Sequence, residues 1–314
     1  MKKIISLMLF FAVVIVSFVG CAGQNGDSGK IKIVATLFPQ YDFANIISGG
    51  KAEVTMLLPY GIDSHTYEPS VKDMSNVSNC DIFLYTGDKM EPWSATILEN
   101  AGNEDITAVD LSKNIKLLEG VSHNFDNHGE KGHIHDYDPH IWTSPKNAIV
   151  MVDEILNALC DEDEENAQYY IENAKNLKAQ LTELDGKLAD ISENYDGTPL
   201  YFGGKFAFLY MFSEYGFKYE SPYQGCSDES EPSIKIISDI CKKIESDSTR
   251  YIFTEEMSEN KVAKSISEET DTELLVLHSC HNLSKNEAMA GENYISLMQK
   301  NIQNIRKALY ERRQ

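Results

Sequence analysis

Positive charge is scarce in this sequence of 314 residues: 28 Lys and Arg face 49 Asp and Glu, for a formal net charge of −21. Nucleic acid and anionic lipid head groups repel such a chain, so neither is an electrostatic partner. The surplus of carboxylates suits solubility and the attraction of cations. Apolar runs are short as well. The longest, residues 4–19, falls short of the roughly 20 residues that a durable membrane-spanning helix needs. No H-E-x-x-H pattern or comparable hydrolase motif occurs, so metal-assisted hydrolysis has no local signature here.

What is present begins with that apolar run. It follows Lys2 and Lys3 and ends at Phe18-Val19-Gly20-Cys21, so residues 1–20 read as an export signal. The last four residues resemble a bacterial lipobox, in which the cysteine is lipidated and the preceding residues are removed. Residues 21–30, CAGQNGDSGK, are small, polar and Gly-rich, the composition of a flexible tether. The expectation is a lipoprotein anchored through Cys21 on the outer face of the bacterial cytoplasmic membrane, at the cell surface or in a periplasm. Of the 6 cysteines, lipidation of Cys21 leaves an odd set that cannot all pair internally. Cys80, Cys160 and Cys241 lie in apolar-periodic stretches and read as buried small hydrophobes. Cys226 and Cys280 lie in polar, loop-like sequence and form the candidate disulfide.

Along the remaining chain, apolar runs at 31–39, 52–59, 81–87 and 105–111 read as strands. Helical patterns near 40–48, 70–77 and 93–100 separate them. This alternation predicts a parallel sheet covered on both faces. Ser144-Pro145 supplies an N-cap and a proline at the first helical position. Residues 161–195 then read as one long helix with a single apolar stripe of Ile171, Ala174, Leu177, Leu181, Leu184, Leu188 and Ile191. At 1.5 Å per residue it would span roughly 45 Å, enough to cross between lobes. Strand patterns return at 199–204, 219–223, 250–256 and 273–279, and a final amphipathic helix uses Ile295, Met298, Ile302, Ile305 and Leu309. The predicted fold class is α/β. Two (β/α) lobes with parallel four-stranded sheets, 31–160 and 196–314, are joined by one long linker helix. Ligands of open α/β sheets bind beyond the carboxyl ends of the strands, here the interlobe cleft.

Histidine marks the chemistry. Five of the 8 histidines fall between residues 123 and 140. His123, His128, His133 and His135 sit in a Gly-, Asn- and Asp-rich loop, 123–138, with no apolar periodicity, and have a metal-binding composition auxiliary to the cleft. His140 instead follows Asp138-Pro139 and precedes a helix, and Asp138 is placed to hold its imidazole as carboxylates do for metal-bound histidine. His65 lies in a Pro- and Gly-bearing turn after the second strand. His278 and His281 bracket Cys280 after the last strand of the second lobe. Three separate elements thus deliver imidazoles to loop ends at the cleft.

At these residues the chain resembles the cluster A-I solute-binding proteins, which serve ABC importers of zinc and manganese. "GIDSHTYEPS" and "DPHIWTSPKNA" resemble the two signature segments of that family, and the resemblance extends over nearly all of the chain after the signal. It implies two lobes, a metal site between them, no catalysis, and an ABC permease as partner. It carries over His65 and His140 as the first two ligands. The second lobe departs from the family pattern, because the third ligand position is occupied by Lys205. Ammonium has no lone pair for a metal and repels a cation. Lys205 is expected either to pair with Glu231, Glu255 or Glu256 or to lose its proton. "HSCHN" is expected to replace the missing ligation, His278 as a third imidazole and His281 as a fourth, with Cys280 as rival. Imidazole suits Zn²⁺, whereas Mn²⁺, the alternative, prefers carboxylate and water. The expected function is a lipoprotein that captures Zn²⁺ and delivers it to an importer. An adhesin and a zinc hydrolase using Glu255 or Glu256 as base are the rival readings.

Overall fold

A computed structural model describes residues 29–120, 137–223, 231–257 and 260–311. The export signal, Cys21, the loop histidines His123, His128, His133 and His135, and Cys226 lie outside the described residues.

The first lobe follows the predicted alternation. It runs β1 (Lys32–Ala35), α1 (Phe38–Ser48), β2 (Glu53–Met56), α2 (Val71–Ser78), β3 (Ile82–Tyr85), α3 (Ser94–Ala101) and β4 (Thr107–Asp110). These strands form one parallel sheet in the order β2-β1-β3-β4. Both faces are buried because successive side chains alternate between them. Val34 and Phe83 pack with Val77 and Ile97 of α2 and α3 on one side. Ile33, Ala35, Ile82 and Leu84 join the main core on the other.

Helix α4 (Pro145–Glu162) starts as expected, with the Ser144 hydroxyl accepting the Asn147 N–H. The long helix does not. It begins at Ala167 as α5 (Ala167–Glu193), because Asp163 ends α4 and caps a short 3₁₀ turn, Glu164–Asn166. The Asp163 carboxylate accepts the Asn166 N–H at 3.2 Å and the Tyr170 hydroxyl at 2.6 Å, the competition with helix that short acidic side chains offer. Its 27 residues span about 40 Å. The buried stripe holds Ala174, Leu177, Leu181, Leu184, Leu188 and Ile191, but Tyr170 opens it, and Ile171 is 44% exposed.

The second lobe continues with β5 (Leu200–Tyr201), α6 (Leu209–Tyr215), β6 (Tyr219–Glu220), α7 (Ile234–Ser246), β7 (Tyr251–Thr254), α8 (Lys261–Thr270), β8 (Glu273–Val276), α9 (Lys285–Ala290) and α10 (Tyr294–Tyr310). The expected four-stranded sheet is realised as two parallel pairs, β5-β6 and β7-β8. One parallel bridge, Phe202 with Phe253, joins them. Strands β5 and β6 are two residues each, and a ring cluster of Phe202, Phe206, Phe212 and Tyr219 supplies the cohesion there. Gly203 lets the chain press against α8, since a Cβ there would meet the Ala263 Cα at 2.4 Å. Both lobes and α5 share one apolar core, so the site described next rests on a continuous support.

Candidate metal centre

Three histidines converge on a cavity of about 120 Å³, lined by His65, His140 and His281 together with Asp63, Lys205, Glu255, Glu256 and Ser279. A larger groove on the second lobe is lined by residues such as Phe206, Tyr219 and Ile236, with Asp138 but no imidazole. The chemistry singles out the smaller one.

Each of the three histidines is presented by the same local device. The Asp63 carboxylate accepts the His65 N–H at 2.9 Å, and the Asp138 carboxylate accepts the His140 N–H at 2.9 Å. The Ser279 hydroxyl accepts the His281 N–H at 3.4 Å. An oxygen-bearing side chain two residues before the histidine thus closes a tight turn, as such residues do in loops. His65 stands on a 3₁₀ turn, Ser64–Thr66, and remains exposed. The His140 side chain is 2% exposed, and its Nδ1 lies 3.0 Å from the Asp138 carboxylate. That contact fixes the ring and directs Nε2 away from Asp138. The rings of His65 and His140 lie 5.3 Å apart, centroid to centroid.

His281 is held by a relay whose donors and acceptors can be assigned. Ionised Glu256 only accepts; the Ser279 hydroxyl donates to it at 2.6 Å, and the Ser279 N–H donates at 3.1 Å. The hydroxyl's one proton is then used, so it accepts from His281 Nδ1. The proton sits on Nδ1, and Nε2 carries the lone pair. That Nε2 is buried and has no hydrogen-bond partner. Burial pushes the His281 pKa well below its ordinary 6.5, against Glu256, which raises it. The ring is therefore neutral, the form that binds a metal.

His278 does not belong to this group. Cys280 adopts the left-handed region, φ 61°, and the turned chain brings Ser279 and His281 to the cavity while His278 stays behind. The His278 Nδ1 accepts the Cys280 N–H at 3.0 Å. Its Nε2 lies 3.4 Å from Glu287, off the line of a hydrogen bond, and Glu256 stands 3.6 Å from Nδ1. Burial lowers its pKa, but Glu256, Cys280 and Glu287 outweigh burial and raise it. In either state both nitrogens are turned to protein. The expected role of His278 as third ligand finds no support in this placement, since the ring does not line the cavity.

Two further expectations change. Cys280 is a free thiol, 1% exposed, with Sγ 3.5 Å from the His278 carbonyl oxygen. Its candidate partner Cys226 lies outside the described residues, and the thiol does not line the cavity. Lys205 does line it, but what Glu255 receives from that residue is the main-chain N–H. The ammonium acts on Glu255 only through space, lowering a carboxyl that burial has raised to about 7. Among the described residues no three His, Cys, Asp or Glu side chains already stand at metal-holding distances, so binding must draw the side chains inward.

The turn that carries His281 also ties the lobes together. Asn282 Nδ2 donates to the Pro59 and Ile62 carbonyls at 2.8 and 2.9 Å, and the Gly61 N–H donates to Leu283 at 2.8 Å. The Trp142 indole, two residues beyond His140, donates to the Ser279 carbonyl at 2.8 Å. Both first-lobe histidine loops are thereby bonded to the turn that carries His281. The sequence missed Ser279, Glu256 and Asn282 as supports. The Ser279-Cys280-His281 spacing, the counterpart of Asp63-Ser64-His65 and Asp138-Pro139-His140, is the signal that was there to read.

Known proteins resemble this chain over most of its length. Residues 33–308 match a family model described as the zinc-uptake complex component A, periplasmic (ZnuA). The chain is 32% identical to the high-affinity zinc uptake system protein ZnuA of Bacillus subtilis, over 92% of this chain and 90% of that protein. It is 30% identical to the zinc-binding protein AdcA of Streptococcus pyogenes, over 97% of this chain but only 61% of the relative's length. The crystal structure of the Zn(II)-bound ZnuA-like domain of Streptococcus pneumoniae AdcA aligns with TM-score 0.75 and 26% identity, covering 90% of this chain and 99% of that one.

Proposed function

We propose, because this chain belongs to the ZnuA family of zinc-uptake components, that it captures Zn²⁺ between its lobes and delivers it to an ABC importer. The protein is a carrier, not an enzyme. His65 and His140 of the first lobe and His281 of the second are its metal ligands. The observation that carries this reading is the buried Nε2 of His281, neutral and unpartnered, in a cavity shared with two further imidazoles. Leaving such an atom unpaired costs about 1–3 kcal/mol, a cost that a bound cation removes. Three imidazoles favour Zn²⁺ over Mn²⁺. Glu256, one of the two carboxylates that a hydrolytic mechanism could use as base, is committed to Ser279.

The carrier is anchored through lipid on Cys21, on the outer face of the cytoplasmic membrane, and the histidines of 123–135 gather metal for the cleft. Competitive zinc titration against a chromophoric chelator tests the ligand set. His65→Ala, His140→Ala and His281→Ala each weaken Zn²⁺ by more than about 100-fold, beyond the 10–100-fold that outer-sphere losses typically cost. Retention of wild-type affinity by His281→Ala would remove the second lobe from the site as drawn.

A further inference from the structure

We infer that Glu255 supplies a fourth donor to the metal site, in the place that Lys205 leaves without one. This rests on the three-histidine reading above and extends it to a mixed imidazole and carboxylate set.

The argument starts from which carboxylates at the cavity are already committed. Asp63 is exposed to solvent, and its Oδ1 closes the His65 turn by accepting the His65 N–H. Glu256 is used on both oxygens by Ser279, and its side chain is 4% exposed. Glu255 lines the same cavity and accepts one main-chain N–H, from Lys205, on Oε1. Among the described residues no other hydrogen bond reaches that carboxylate, so Oε2 is left for a cation. The chain makes room for it there. A Cβ at Gly204 would stand 2.7 Å from Glu255 Oε1, so glycine opens the space the carboxylate occupies. Gly204 and Lys205 together form a cradle, and the lysine contributes its backbone while its side chain supplies no lone pair.

Charge gives the cradle its purpose. Three neutral imidazoles leave both charges of Zn²⁺ uncompensated in a half-enclosed cavity, and the Lys205 ammonium adds another. Separating a divalent ion from water without an opposing charge is expensive. One carboxylate oxygen completes a four-coordinate set of nitrogen and oxygen donors, which zinc accepts. The same oxygen makes the site more tolerant of harder ions than imidazole alone would be. Glu255 is thus also a specificity residue.

The test uses purified protein with Zn²⁺ and Mn²⁺ as probes, in chelator competition, for the wild type, Glu255→Gln, Gly204→Ala and His65→Ala. The metal-free forms are melted in parallel. Glu255→Gln is expected to weaken Zn²⁺ by more than about tenfold and Mn²⁺ by a larger factor, while its metal-free melting temperature does not fall. Gly204→Ala keeps the charge but displaces the carboxylate, and it should weaken both metals as well. If Glu255→Gln binds Zn²⁺ within about twofold of the wild type while His65→Ala loses it, the fourth donor is overturned and the three-histidine site stands. If His65→Ala also binds as the wild type does, the underlying reading fails and this inference with it.

Discussion

In the first lobe, His65 and His140 are set by Asp63 and Asp138 at the ends of ordinary βα loops, and a separate buried carboxyl, Glu91, is surrounded only by neutral donors. It is 1% exposed and accepts from the Thr36 hydroxyl, the Gln40 amide at 3.4 Å and the Thr86 N–H at 3.0 Å. In the second lobe, His281 is set by Ser279, which is held by Glu256, which in turn lies between the rings of His278 and His281 at 3.6 and 3.5 Å. The local turn is the same in both lobes, but the buried carboxyl of the first lobe has only neutral partners, whereas that of the second holds the turn itself and stands between two imidazoles. Neutral networks tolerate the loss of one member better than ionic ones, because an ion left alone in the interior carries its full desolvation penalty.

The sharpest way to break that contrast is His278→Ala. The Glu256 carboxylate is held below its ordinary range by His278 and His281 and by the Ser279 hydroxyl, against burial that would raise it. Removing His278 leaves it without its near partner. The expected loss of stability is about 3–5 kcal/mol, the usual result of breaking a buried pair from one side. Denaturant unfolding of the metal-free protein measures it. Zinc affinity, read by titration under conditions where the variant is folded, stays within a few-fold of the wild type. A variant that unfolds normally but has lost zinc would return His278 to the site.

Glu91 provides the opposite case in the first lobe. Burial raises its pKa from 4.5 to about 7, with the hydrogen bonds from Thr36, Thr86 and Gln40 opposing. A carboxyl raised in the folded state binds more protons folded than unfolded, so its contribution is favourable at acid pH and lost as pH climbs from about 4.5 to about 7. The full swing is at most about 3 kcal/mol for a displacement of this size. Glu91→Gln, which keeps shape and removes the charge, should be more stable than the wild type at pH 8 and converge with it near pH 4. A difference between the two that does not change with pH would mean that Glu91 has the same pKa folded and unfolded.

How much of this was readable follows the same division. The first lobe's strand order and its two ligand loops follow from short apolar runs, turn residues and an aspartate two positions before each histidine. The second lobe yields less because its decisive feature is conformational. Reading 273–279 as a strand gives no warning that Cys280 takes a positive φ, which separates His278 from His281. Strand pairing of two residues per strand is likewise too short to carry a pattern, and ring packing around Phe202 takes its place. In the long helix the stripe was right from Ala174 onward. Its start was missed because Asp163 gains more by capping a turn and receiving the Tyr170 hydroxyl than by continuing a helix.

The weakest expected effect asks whether the first lobe's ligands are independent of the second. Tyr210, on α6 of the second lobe, donates its hydroxyl to the Asp138 carbonyl at 2.7 Å and accepts the Leu118 N–H at 3.2 Å. It braces the segment on which Asp138 orients His140, from across the cleft. Tyr210→Phe removes one buried oxygen and leaves a donor and an acceptor unmatched, for a loss of about 1–2 kcal/mol. The ring and its packing remain, so the fold survives. Zinc affinity should fall by less than the roughly tenfold typical of direct outer-sphere partners, because Asp138 still holds His140 at two points. A larger drop, with unfolding stability barely changed, would show that the second lobe sets the geometry of the first lobe's histidine. The first lobe's turn would then depend on the other lobe as much as the second lobe's turn depends on its buried carboxylate.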